Sequence, residues 1–169
     1  MKEPPLNFKK ELRELKGNKN YILMGITFCG LYGIYTSLGS VVSSITSPYG
    51  YTSIDNAIFG AVFIFSGVLG SFVIGILLDK YQKFKLTFNL LCITACIFIA
   101  TNFYTLPSKS VPLLAVNLSI VGFSVIPIIP VSYAFAVELT YPVPESVSNG
   151  MIILPSQLFG TIVVRYFFQ

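Results

Sequence analysis

Tyr32, Tyr35 and Gln157 are the residues whose types best suit binding of a small solute. Phe28, Tyr32, Tyr35 and Gly39 fall on one face at helical spacing, inside a stretch without a charge. A tyrosine ring there can offer its π-face to a quaternary ammonium, an attraction worth about 2 kcal/mol or more when desolvated. In "LPSQLFG", residues 154–160, Gln157 follows Pro155, and its neutral amide can hydrogen-bond a hydroxyl without burying a charge. The alternative gives Tyr35 to packing against a neighbouring helix and Gln157 to a hydrogen bond across helices.

A second group carries charge. In "GILLDKYQKFK", residues 75–85, Asp79 ends an apolar run and is followed by Lys80, Lys83 and Lys85. The Asp79 carboxylate can hold neighbouring backbone or basic groups in one conformational state and release them in another; the alternative is a local Asp79–Lys83 pair. In "ELTYPVPESVSNG", residues 138–150, Pro142 and Pro144 stop one helix, and Ser146 or Ser148 can cap the next. Glu145 near that N-terminus meets favourable dipole charge. Glu138, one turn inside the preceding span, is costlier to bury. It calls for a lysine or arginine partner from the N-terminal lead-in or the 80–85 turn, or else snorkels to the interface.

The elements that position these groups follow from composition. The chain has 169 residues, 54% hydrophobic and 11% charged, with a mean hydropathy of +0.75. Soluble domains carry about 25% charged residues, and a chain this short cannot hide so much apolar surface in a core. It reads as an integral, multi-pass membrane protein, of the plasma membrane or of an organelle. Charge-free intervals, each long enough to cross a bilayer core of about 30 Å as a helix, predict five spans at 21–47, 54–78, 86–106, 111–141 and 146–169. Residues 1–20 form a basic lead-in. The fold class is therefore all-α, a polytopic helical bundle.

Lysine and arginine set the orientation. Lys2, Lys9, Lys10, Arg13, Lys16 and Lys19 precede the first span, and Lys80, Lys83 and Lys85 follow the second. Both segments are expected on the cytoplasmic face, with Lys109 opposite. The net charge of +4 thus reads as topology, and nucleic acid is not an expected partner. Phe8, Leu12 and Leu15 give the lead-in the pattern of a short interfacial helix. Cys29, Cys92 and Cys96 read as free thiols within spans, and two thiols on one helix face make a poor metal site. No metal or cofactor is implied.

Two features concern packing. Gly67, Ser71 and Gly75 form a ladder of small residues that would let a second helix approach. Pro127 and Pro130 break the fourth span, and Pro155 interrupts the fifth; such kinks are tolerated where neighbours or water satisfy the freed carbonyls.

These stretches resemble the C-terminal half of a major facilitator superfamily transporter. "GILLDKYQKFK" looks like that superfamily's loop motif between the second and third helices of a six-helix half, with Gln82 where the general motif has glycine. "ELTYPVPESVSNG" resembles the signature joining the tenth and eleventh helices of the feline leukaemia virus subgroup C receptor-related family. "NKNYILMGITFCGLYGIY", residues 18–35, is similar to that family's seventh helix, and "LDKYQKFKLT", residues 78–87, to its version of the loop motif. The resemblance runs from about Phe8 to Arg165. It implies helices seven to eleven of twelve, with the N-terminal half supplied by the same full-length chain or a second one.

The family is associated with haem, choline and ethanolamine transport. Tyr35 and Gln157 match, residue for residue, the tyrosine and glutamine it uses around its small cationic substrate; Pro155 departs from its pattern and could turn Gln157 away. The leading expectation is a fragment of a secondary transporter moving a choline-like cation or haem by alternating access. The competing one is a membrane subunit that packs against partners and transports nothing. An enzyme is disfavoured: the chain has no histidine and its spans hold no carboxylate or cysteine cluster for acid–base or metal chemistry.

Overall fold

A computed structural model describes residues 8–167, without the side chains of 10, 38–41 and 167. Lys2 and the end of the expected fifth span at 168–169 lie outside the described residues, and Gly39 of the aromatic stripe is described only as part of a helix backbone. Every regular element described is helical: α1 (Phe8–Gly17), α2 (Lys19–Thr46), α3 (Ser53–Tyr81), α4 (Phe84–Thr105), α5 (Val111–Val125), α6 (Ile128–Thr140) and α7 (Glu145–Phe167), with a 3-10 turn at Ser47–Tyr49. Four of these segments are long and apolar enough to cross a membrane, α5 and α6 counting as one, and α2 taken whole makes a fifth.

The break between α5 and α6 has its cause in the prolines. Pro130 has no N–H for the carbonyl of Ile126, and the Ile129 N–H takes that carbonyl instead at 3.2 Å. Pro127 likewise frees the carbonyl of Phe123, which lies against Gly70 of α3. The bend therefore places a carbonyl that has lost its helical i+4 donor where only a residue without a side chain leaves room.

The bundle is assembled from two main helix pairs, α3 with α5 and α2 with α7. Each crossing is close enough to need glycine. Gly122 of α5 faces the Phe63 carbonyl of α3, and Gly33 of α2 lies against Gly160 of α7. The expected ladder is corrected here: Gly67 and Gly70 meet α5, whereas Gly75 faces open space. A rise of 1.5 Å per residue carries Gly75 beyond the crossing.

Hydrogen bonds tie both ends. At one, Asn18 caps α2 by accepting from Tyr21 N–H and donates to the Leu139 carbonyl at 2.6 Å. The Tyr21 hydroxyl donates to the Ser148 carbonyl at 2.6 Å, and Thr140 donates to the Ser148 hydroxyl at 3.0 Å. Ser148 is therefore a buried cross-helix partner, not the cap expected of it; α7 already begins at Glu145. At the other end the Tyr51 hydroxyl donates to the Leu106 carbonyl at 3.2 Å. Between α4 and α5, buried Asn117 accepts from Thr101 at 2.7 Å and donates to the Phe98 carbonyl, so an amide inside the spans is satisfied.

In α1, Leu15 is buried, while Phe8 of the expected apolar face is exposed. Leu12 and Leu15 line an apolar groove with α2 and α7. The lead-in and the 80–85 turn share one end of the bundle, since Asn20, Lys83 and Lys85 border one groove. Lys109 lies in the connection between α4 and α5 at the opposite end. Cysteines placed singly at 84 and 109, with the native ones replaced, are expected to react differently with an impermeant thiol reagent added to intact cells. Residue 109 should label and 84 should not; equal labelling from outside would reject the assigned orientation.

Candidate functional site

Tyr32, Tyr35 and Gln157 are brought together. α2 presents both tyrosines half-buried, their ring centroids 6.0 Å apart, and the Gln157 side-chain amide donates to the Tyr32 hydroxyl at 2.9 Å. Pro155 therefore does not turn Gln157 away from α2. Phe28, fully buried, stacks on Tyr32 at 5.2 Å and fixes that ring from below.

Two further aromatics join from other helices. Phe63 of α3 stacks on Tyr35, centroids 5.9 Å apart and planes 18° from parallel, and Tyr133 of α6 lies 6.0 Å from Phe28. The sequence reading missed both, because spacing along one helix says nothing about which rings a neighbouring helix contributes. The geometry contains the contacts of the packing alternative, Tyr35 against a neighbour and Gln157 across helices. It also leaves Gln157 exposed at the mouth of the cluster. The crevice beneath, among Phe28, Tyr32, Tyr35 and Ile128, is closed to water. The cluster is thus a preformed open face, with rings and an amide but no enclosed chamber.

The charged group lies at the basic end. Asp79 is exposed in the last turn of α3 and forms no ion pair among the described residues, so the local Asp79–Lys83 pair is not made. Lys80 sits 5.6 Å from the Tyr81 ring centroid. Gln82 takes the left-handed conformation at φ 50, and its N–H reaches the Leu78 carbonyl at 2.8 Å. It thereby keeps the helix-ending turn that glycine would make without strain.

Glu138 is exposed and makes no salt bridge among the described residues, so of its two expected arrangements the basic partner is not found and the exposed carboxylate is; Lys83 and Lys85 border the same groove. Glu145 is the first residue of α7, where the helix dipole favours it, and accepts from Asn149 at 3.4 Å.

Four segments long and apolar enough to cross a membrane, five with α2 taken whole, make this an integral, multi-pass membrane protein. The chain belongs to the Major Facilitator Superfamily, whose sequence profile matches residues 2–162. Among curated proteins it is similar to solute carrier family 49 member A3 of Xenopus tropicalis, 32% identical over 161 residues, covering 92% of this chain and 33% of that protein. It is similar also to the choline/ethanolamine transporter FLVCR2 of Homo sapiens, 26% identical over 160 residues, covering 94% of this chain and 30% of that protein. A third, the choline/ethanolamine transporter FLVCR1 of Felis catus, is 26% identical over 157 residues, or 92% of this chain and 28% of that protein. The chain spans a third or less of the length of these relatives.

Proposed function

We propose that this chain is helices seven to eleven of a secondary transporter that moves a small organic cation of the choline type by alternating access. The observation that carries the reading is the open aromatic–amide face of Tyr32, Tyr35 and Gln157 in a chain similar to choline/ethanolamine transporters. Rings attract a quaternary ammonium through their π-faces, and the amide accepts or donates to the alcohol. A small ligand is bound with most of its surface covered, so this face requires a second surface, which the N-terminal half of the full-length transporter supplies. Rocking of that half against this one exposes the face alternately to each side.

Within that cycle Asp79, with Lys80, Lys83, Glu138 and Glu145, sits at the cytoplasmic end to latch one state. Asp79→Asn in the full-length protein is expected to change maximal uptake at least about fivefold, the low end of ordinary coupling free energies, with surface expression retained. Unchanged uptake kinetics would remove Asp79 from the mechanism. The substrate class is tested by labelled choline uptake into cells expressing the full-length protein, competed with unlabelled ethanolamine or haem. Saturable uptake competed by ethanolamine is expected; uptake no greater than in control cells would overturn the reading, and competition by haem alone would reassign the substrate.

A further inference from the structure

We propose that Tyr133 of α6 is a further, specificity-determining contact for the cation, its hydroxyl donating to the substrate's alcohol oxygen, a role that rests on the Tyr32–Gln157 face being the choline site. Tyr133 reaches that face from a third helix. Its ring lies 6.0 Å from that of Phe28, the buried residue on which Tyr32 also stacks at 5.2 Å. Ile129, one turn earlier on the same side of α6, lines the closed crevice beneath Tyr32 and Tyr35. Tyr133 is half-buried, as both tyrosines of α2 are.

Chain direction brings the polar tips together. Helical side chains lean towards the N-terminus of their own helix. α2 starts and α6 ends at the same end of the bundle, where Asn18 bonds the Leu139 carbonyl. The Tyr32 ring therefore leans towards that end, and the Tyr133 ring leans away from it. At 1.5 Å per residue, Tyr133 stands about 10 Å from the end of α6 and Tyr32 about 20 Å from the start of α2. The opposite leans close that difference in level.

The Tyr133 hydroxyl makes no hydrogen bond among the described residues. Buried tyrosine hydroxyls ordinarily have a partner, and this one is left to find it in what binds the face. An alcohol both donates and accepts. The Gln157 amide already gives an N–H to Tyr32 at 2.9 Å, and its carbonyl oxygen suits the alcohol proton. The alcohol oxygen then needs a donor. With the ammonium on the free face of Tyr35, the two-carbon arm runs past the Tyr32–Gln157 pair towards Tyr133. The Tyr35 hydroxyl lies in the plane of the ring that meets the ammonium, so it faces methyl groups and not the alcohol.

The test is labelled choline uptake by cells expressing the full-length protein containing this chain, expressed per transporter at the surface. Unlabelled choline and its deoxy analogue, ethyltrimethylammonium, are the competitors. Tyr133→Phe keeps the ring against Phe28 and removes only the hydroxyl. It should weaken competition by choline about fivefold, the ordinary loss for one neutral hydrogen bond. Competition by ethyltrimethylammonium should not change. An unchanged choline affinity in Tyr133→Phe, or an equal loss for both competitors, would overturn the proposal and leave the choline reading of the face standing. Wild-type protein that takes up no more choline than control cells would overturn both.

Discussion

Tyr35→Ala in the full-length transporter is expected to weaken choline uptake about 30-fold in apparent affinity, while Tyr35→Phe keeps most of it. The magnitude is that of one desolvated cation–π contact of about 2 kcal/mol. Phe63 stacks on one face of Tyr35 and supports it. The opposite face is the one a quaternary ammonium would meet, and phenylalanine preserves that face. Gln157→Ala acts differently. It removes an amide able to bond the alcohol and also strips the Tyr32 hydroxyl of its partner at 2.9 Å. A site that has lost a hydrogen bond to a substrate hydroxyl discriminates poorly against analogues lacking it. Gln157→Ala should therefore narrow the preference for choline over its deoxy analogue as well as lower uptake. Both variants reaching the membrane and taking up choline with wild-type affinity would refute the assignment. They would leave Tyr35 and Gln157 as packing and glue.

What the sequence disclosed about this site depended on which forces act along a single helix. Charges are costly in a bilayer, so charge-free intervals mark spans, and the helices cover those intervals with ends shifted by a few residues. Prolines act on their own helix, so the α5–α6 break could be placed at Pro127 and Pro130. The tyrosine stripe was visible because Phe28, Tyr32 and Tyr35 share one helix. Contacts between helices were not legible in the same way. Phe63 and Tyr133 enter the cluster from α3 and α6, and nothing in their local sequence marks them. A run of small residues says that a helix can be approached, not where; Gly70, outside the expected ladder, meets the freed Phe123 carbonyl, while Gly75 meets nothing. Which of its two arrangements Glu138 takes, a basic partner or an exposed carboxylate, was open for a related reason. An exposed carboxylate has water available, so a nearby lysine gains little by pairing with it.

Gly122→Val is expected to destabilise the protein by about 1–3 kcal/mol, the ordinary cost of adding bulk where there is no space. A side chain at Gly122 would overlap the Phe63 carbonyl and crowd the Ser66 hydroxyl at 2.9 Å. A backbone carbonyl inside a helix cannot swing aside as the end of a flexible side chain can, so α3 and α5 must separate. That crossing is one of the two on which the bundle is built. Gly75→Val is the matched control: Gly75 lies on the same helix as Phe63, has open space around it, and should change stability little. Melting of the full-length protein in detergent, followed by size-exclusion recovery after heating, reads the difference. An equal shift for both valines would show that β-branching in a helix, not the crossing, sets the cost. The same variant also links packing to binding. Phe63 is the residue whose carbonyl Gly122 accommodates and whose ring stacks on Tyr35. Moving α3 away from α5 moves that ring, so Gly122→Ala, the milder change, should lower choline affinity out of proportion to its loss of stability. Gly33→Ala, which strains the α2–α7 crossing beside Gly160, should act on Gln157 instead and leave the Phe63–Tyr35 stack in place.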